Sequence, residues 1–254
     1  MKCSKKSIFY SLFFLIFSFF LEGKSVIIFD LGGVVFKEAE FFVYENLPKE
    51  IKEKIPESFR GQRIFLRAFD FVHHVTQTDY KKAWLMGTVS GNDIVEHIHK
   101  HIDKPEYANF FKSDQERLLI KHGAWMILAP EELAQWTLLI PEALQFITQC
   151  KEKNLRLAIL SNWDPLSFPF LQKKFPELFS LFDTHDIFIP ARCSAMKPDS
   201  AVYDYVLKTM NVKSTDCIFI DDSKANITSA QQCGIASILH TDWDSTINEI
   251  RKKI

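Results

Sequence analysis

The chain has 254 residues, enough to bury a sizeable core and suited to one large domain or to a core carrying a smaller inserted one. Hydrophobic residues make up 47% and charged residues 25%, ordinary proportions for a soluble globular protein. With 31 Lys plus Arg against 32 Asp plus Glu there is no basic field to hold a nucleic-acid backbone, which argues against nucleic acid as a main partner.

Lys2, Lys5 and Lys6 precede an uncharged run from Ser7 to Leu21 that is apolar or aromatic apart from Ser7, Ser11 and Ser18. A basic start before such a run has the form of a signal peptide, and the run is short for a full membrane span. Leu21-Glu22-Gly23 makes a poor cleavage site. Uncleaved, the segment would hold the protein at a membrane with its basic end inside. Residues 1–23 are therefore expected to be a signal or membrane-anchor segment, giving an exported, periplasmic or membrane-anchored protein. The alternative is an over-extended start, with a cytoplasmic protein beginning near Lys24. Cys3, Cys150, Cys193, Cys217 and Cys233 show no Cys-x-x-Cys spacing, so isolated buried thiols are expected, with a disulfide left open.

Val26 to Phe29 is a continuous run of β-branched and aromatic residues, the pattern of a strand buried on both faces. It ends in Asp30 and then in Gly32 and Gly33, which let the backbone turn tightly. An acid at the carboxyl end of a buried strand is where open α/β sheets put their ligands, although a solvated turn would look the same.

Beyond Phe36 the pattern becomes helical. Leu85 to Gly91 is a break, and Asn92 or Asp93 is expected to cap the next helix, in which Ile94, Ile98 and Ile102 share one face. Glu116 to Ile120 and Pro130 to Leu139 also read as helical. Residues 37–137 thus read as a helical cap between the first and second strands of a core formed by residues 24–36 and 138–254. His97 and His101 would share a helix face, as a zinc site requires, but no carboxylate or cysteine completes the set, and the three histidines from His97 to His101 read as a polar shoulder. His73 and His74, near Asp70 and Asp79, would either project from the cap toward a site or lie on the surface.

Pro141 to Asn154 reads as a helix opened by proline, and Leu155 to Leu160 as a strand ending in Ser161-Asn162-Trp163-Asp164. A hydroxyl there can receive a phosphate oxygen. Thr184 to Ile189 reads as a short strand, followed by Lys197 ahead of a helix from Ser200 to Met210. Cys217 to Ile220 is a further buried strand, ending in Asp221-Asp222 with Asn226 beyond. Adjacent carboxylates repel one another, and a hard cation is a good reason to place them together. A helix from Lys224 to Cys233, a strand from Ile235 to Leu239 and a helix from Trp243 complete the alternation. The fold class expected is α/β, a doubly wound parallel sheet with an inserted α-helical cap.

Asp30-Leu-Gly-Gly-Val, Leu160-Ser161-Asn162, Lys197-Pro198-Asp199 and Phe219-Ile-Asp-Asp-Ser-x-x-Asn226 stand in the order of four motifs. From Val26 to Leu239 the chain resembles the haloacid-dehalogenase-like (HAD) hydrolase superfamily, most of whose members are magnesium-dependent phosphatases; the helical insert resembles that family's small cap. The resemblance implies that Asp30 attacks phosphorus and forms an aspartyl-phosphate that water hydrolyses. It implies Mg2+ held by the Asp30 carboxylate, the Gly32 carbonyl and Asp222, with Asp221 beside them. Ser161 would bind the phosphoryl group with Asn162, Lys197 would offset its charge, and Asn226 would orient the acidic loop or a metal-bound water.

The chain departs from the pattern at Gly32, where family phosphatases commonly carry an aspartate as general acid and base, worth about 10²- to 10⁴-fold. His73, His74, a metal-bound water or a good leaving group such as a sugar 1-phosphate could substitute. The substrate expected is a small phosphate ester. Two other readings stay open: a haloacid dehalogenase-type hydrolase, though family dehalogenases resemble Asp-x-Tyr-Gly-Thr at the first motif, and a catalytically weakened phosphate- or partner-binding protein.

Overall fold

A computed structural model describes residues 25–37, 40–59 and 64–253 of the protein. Five parallel strands form the main sheet in the order β5-β4-β1-β6-β7: β1 Val26–Phe29, β4 Arg156–Leu160, β5 Ile187–Phe188, β6 Cys217–Asp221 and β7 Ala236–Leu239. β1 runs up the centre, in register with β4 and β6, so that Phe29 lies beside both Ile159 and Ile220. The three chains therefore reach the carboxyl edge at the same level.

The alternation of side chains on β1 divides the core in two. Ile27 and Phe29 face one layer, where they join Phe146 and Ile147 of the helix Pro141–Glu152, Leu171 of the helix Phe168–Lys174, and Trp243 and Ile250 of the helix Trp243–Lys253. Val26 and Ile28 face the other, with Val202 and Val206 of the helix Ser200–Met210 and Ile227 and Ala230 of the helix Lys224–Gln232. Helices on both faces are what a fully apolar central strand requires, and each large side chain so buried contributes roughly 1.5–3 kcal/mol. The sheet is the doubly wound parallel arrangement expected.

A separate apolar cluster lies in the helical segment between Phe36 and Leu138. Its centre is the helix Asp114–Leu128, which packs against the helices Glu40–Asn46, Ile64–Thr76, Gly91–His101 and Pro130–Trp136. Ile94, Ile98 and Ile102 are all buried there, as their shared face predicts. The chain leaves and re-enters the core through a short antiparallel ribbon, β2 Phe36–Lys37 against β3 Leu138–Leu139. The Lys174 ammonium donates to the carbonyls of Ala134, Gln135 and Thr137, capping the carboxyl end of the helix that precedes β3.

Several local expectations are corrected. The cap of the helix Gly91–His101 is Ser90 rather than Asn92 or Asp93: the Ser90 hydroxyl accepts from the Asp93 N–H while the Asp93 carboxylate accepts from the Ser90 N–H, a reciprocal capping box. The helix from Pro130 stops at Trp136, and Leu138–Leu139 pair as a strand instead of continuing it. Thr184–Asp186 is a 3-10 turn, so only Ile187–Phe188 remain extended. Its buried Asp186 is tied bidentately to Arg156 at 2.6 and 2.7 Å, which holds the turn against β4.

The histidine shoulder serves the helical segment. His97 Nε2 lies 3.0 Å from the Tyr80 hydroxyl, His99 Nε2 2.8 Å from the Lys121 carbonyl, and His101 Nδ1 2.9 Å from the His97 carbonyl. Cys150, Cys193, Cys217 and Cys233 are free thiols, with the first three buried. Cys3 and the expected signal or anchor segment lie outside the described residues. Among the described residues no helix is long and apolar enough to cross a membrane.

Candidate active site

Asp30 is held at the end of β1 by its N–H donating to the Ile220 carbonyl, and its Oδ1 accepts from the Leu31 N–H at 2.7 Å. The turn that follows is tight: the Leu31 carbonyl accepts from the N–H groups of Val35 and Phe36, and the Gly33 N–H donates to the Phe36 carbonyl. Gly33 has a φ of +73°, and a Cβ there would collide with the Asp222 carboxylate. Glycine at 33 thus admits both the left-handed backbone and the approach of Asp222. Position 32 differs, because a Cβ there would meet no atom within 4 Å.

Ser161 continues the end of β4, its N–H donating to the Phe188 carbonyl, and is buried. Lys197 is also buried, and its ammonium lies 2.9 Å from Asp30 Oδ1 and 2.6 Å from Asp221 Oδ2. Asp221, fully buried at the end of β6, accepts further from the Ser223 N–H at 2.8 Å and from Asn226 Nδ2 at 2.9 and 3.0 Å. Asn226 is in turn fixed by the Tyr203 hydroxyl, which donates to its carbonyl at 2.9 Å. Asp222 is exposed, and oxygens of Asp30, Asp221 and Asp222 all lie within 4.8 Å of one another. Among the described residues this is the one group of three or more acids, histidines or cysteines with metal-ligand spacing.

The electrostatics follow from burial. Desolvation pushes the Asp30 carboxyl from 3.8 up to about 7, opposed by the Lys197 charge and reinforced by Asp221. Burial works to lower Lys197, but the Asp30 and Asp221 carboxylates outweigh it and raise its pKa. One ammonium thus serves two buried carboxylates, Asp30 and Asp221, with the Asp222 carboxylate close beside them. Clustered carboxylate oxygens are the donors a hard divalent cation takes, so Asp30, Asp222 and the half-buried backbone at Gly32 fit Mg2+.

The structure brings together Asp30, Ser161, Lys197, Asp221, Asp222 and Asn226. Asn162 is spent differently from the expectation: its amide donates to the Lys197 carbonyl at 2.8 Å and accepts from the Lys197 N–H at 3.0 Å. It positions the lysine rather than presenting its amide to a substrate. His73 and His74 are exposed, with His73 Nδ1 3.0 Å from the Thr78 carbonyl and the His74 ring tilted against Phe110 and edge-on to Tyr107. These are partners within the helical segment, in line with the surface reading.

Sequence reasoning passed over Asp164, which is fully buried. It accepts from the Leu166 N–H at 3.1 Å, the Ser167 N–H at 2.9 Å and the Ser167 hydroxyl, closing the loop that carries Ser161. The spacing Asp164-x-x-Ser167 is the available signal, an Asx-type turn before a helix. Tyr203 was read only as part of a helix, and nothing in the sequence announces its bond to Asn226.

A family model described as haloacid dehalogenase-like hydrolase matches residues 24–234, and the chain belongs to that family. Over 107 residues it is 35% identical to drimenol cyclase drtB of Aspergillus calidoustus, covering 42% of this chain and 20% of that one. Over 108 residues it is 29% identical to the sesquiterpene phosphatase astK of Aspergillus oryzae, covering 42% of this chain and 54% of that one. The chain thus spans a fifth of the first relative and about half of the second. Among solved structures it is similar to a HAD family enzyme of Bacteroides thetaiotaomicron, solved in complex with magnesium and inorganic phosphate. The TM-score is 0.54 at 19% identity, over 88% of this chain and 98% of that one, a likeness of fold.

Proposed function

We propose that this hydrolase is a magnesium-dependent phosphatase that cleaves a small phosphorylated metabolite through an aspartyl-phosphate at Asp30. The observation that carries the reading is the convergence at the sheet edge, where oxygens of Asp30, Asp221 and Asp222 lie within 4.8 Å of one another and Lys197 bridges the first two. A haloacid is itself an anion, and its dehalogenation needs no metal, so a surplus of acids disfavours that alternative. The relative from Aspergillus oryzae, named as a phosphatase, supports the same direction.

Asp30, Asp222 and the Gly32 carbonyl would hold the cation, with Asp221 supporting them. Bound there, Mg2+ supplies positive charge toward the phosphoryl oxygens and favours the ionised form of Asp30. An Asp30 carboxylate oxygen attacks phosphorus in line, the bond to the ester oxygen breaks, and the departing oxygen takes up a proton from water. Water then attacks the acyl phosphate, releasing inorganic phosphate and restoring the carboxylate. The Ser161 hydroxyl donates to a phosphoryl oxygen, and Lys197 offsets charge on the transferring group while Asn162 and Asp221 fix its position. The helical segment 37–137 acts as the cap on the leaving-group side of a core formed by 24–36 and 138–254.

The test is release of phosphate from p-nitrophenyl phosphate with and without Mg2+. Asp30→Asn is expected to lower the rate at least about 10³-fold, since it removes the nucleophile. Hydrolysis unchanged in Asp30→Asn would overturn the assignment, and chloride release from haloacids without metal would favour the dehalogenase.

A further inference from the structure

An in-line displacement fixes where the departing group must go. With Asp30 attacking from the carboxyl edge of the sheet, the leaving oxygen lies on the far side of phosphorus, toward the helical segment. The loops that flank the phosphoryl position reach that segment through two apolar side chains. Trp163, two residues beyond Ser161, packs against both the core cluster and the helical cluster, with its ring 6.0 Å from Phe36. Met196, immediately before Lys197, packs against the helical cluster as well. The loop at Gly87 also approaches the Ser161 loop: a Cβ on Gly87 would come within 2.6 Å of Pro165 Cγ, and Val89 packs against the helical cluster as Trp163 and Met196 do.

The polar side-chain atoms of the loop after Ser161 are committed within the fold. The Trp163 Nε1–H donates to the Ser167 hydroxyl at 2.8 Å. Both ends of the Asn162 amide are held by the Lys197 main chain, and Asp164 is closed into its own turn. A leaving group rich in hydroxyls would find none of these three side chains free to replace its water, whereas an apolar one needs no such bond.

We infer that the seam between Trp163, Met196 and the Gly87 loop is the leaving-group subsite, and that the preferred substrate is the phosphate monoester of an apolar alcohol rather than of a sugar. This rests on the phosphatase reading. The reaction balances as before: the P–O bond to the alcohol breaks, Asp30 takes the phosphoryl group, and the alcohol oxygen is protonated by water.

Benzyl phosphate and glucose 6-phosphate test it, because both are esters of primary alcohols and differ mainly in what the departing group contacts. With Mg2+, kcat/KM for benzyl phosphate is expected to exceed that for glucose 6-phosphate by at least about 30-fold, the gain from burying one ring. Met196→Gln is expected to lower that ratio about 10-fold and Met196→Leu to preserve it. A readout independent of turnover is calorimetry on the wild-type protein, in which benzylphosphonate binds about 30-fold more tightly than methylphosphonate and with a negative heat-capacity change. Equal kcat/KM values, or equal phosphonate affinities, would overturn the apolar subsite while p-nitrophenyl phosphate hydrolysis leaves the phosphatase standing. Loss of p-nitrophenyl phosphate hydrolysis would remove the phosphatase reading itself, and benzylphosphonate binding would still report on the seam.

Discussion

Two acid–base pairs with a buried carboxylate, one in each region of the molecule, are built from similar parts and come out oppositely. In the helical segment Glu116 accepts from Arg67 Nε at 2.8 Å and from the Lys112 N–H at 2.6 Å, and these bonds outweigh its burial and hold its carboxyl below the usual range. At the sheet edge Asp30 has Lys197 at 2.9 Å, yet burial pushes it up to about 7. The difference is stoichiometry. Glu116 has a cation largely to itself, with Arg67 also reaching the exposed Asp70, whereas Lys197 is shared with Asp221, which sits closer at 2.6 Å. The first pair is closed and structural; in the second a single ammonium is divided between two buried acids.

The largest effect that would test this contrast comes from Lys197→Met. It should lower Mg2+-dependent p-nitrophenyl phosphate hydrolysis at least about 10³-fold and remove about 3–5 kcal/mol of stability, because Asp221 is left buried and uncompensated. Urea unfolding and initial rates measure both. Stability unchanged in this variant would mean that Asn226 and the Ser223 N–H satisfy Asp221 unaided.

Asp30→Asn sharpens the comparison through pH. As pH rises above 3.8 the unfolded chain ionises Asp30 while the folded protein, with its group near 7, keeps the proton, so stability is lost as pH rises through that window. Asparagine cannot ionise and escapes the loss. In chelator, Asp30→Asn is expected to be more stable than wild type at pH 8 by on the order of 2–4 kcal/mol, with the gap shrinking toward pH 4. Urea midpoints at several pH values decide it, and a gap that is independent of pH would show that Lys197 compensates both acids.

The smallest effect belongs to the closed pair. Arg67 is partly exposed, so Arg67→Met should destabilise by only about 1–2 kcal/mol and leave phosphate release within about threefold of wild type. A loss of turnover in a folded Arg67→Met protein would remove the distinction between the two pairs.

The sheet was legible because its strands are fully buried: Val26 to Phe29 and Cys217 to Ile220 are unbroken apolar runs, and each stops at an acid. Thr184 to Ile189 misled because its apolar end is real while Asp186 is there for Arg156, a partner that lies 30 positions away. Lys197 illustrates the limit best. Alone it reads as a solvated charge before a helix, and only the ordered set of motifs links it to acids 167 positions before it and 24 after. Asn162 was visible as a residue of that set, but its service to the Lys197 main chain depends on two loops meeting, which spacing does not encode.

The open space at position 32 bears on which side chains the turn after Asp30 can carry. Gly33 is constrained, since its φ of +73° disfavours any side chain and a Cβ would displace the Asp222 carboxylate. Gly32 is under no such constraint: a side chain there meets nothing within 4 Å and its φ lies outside the left-handed region. Neither packing nor backbone geometry enforces the missing carboxylate. An aspartate placed at 32 would enter without displacing a neighbour, so the fold itself leaves that position open to an acid beside Asp30.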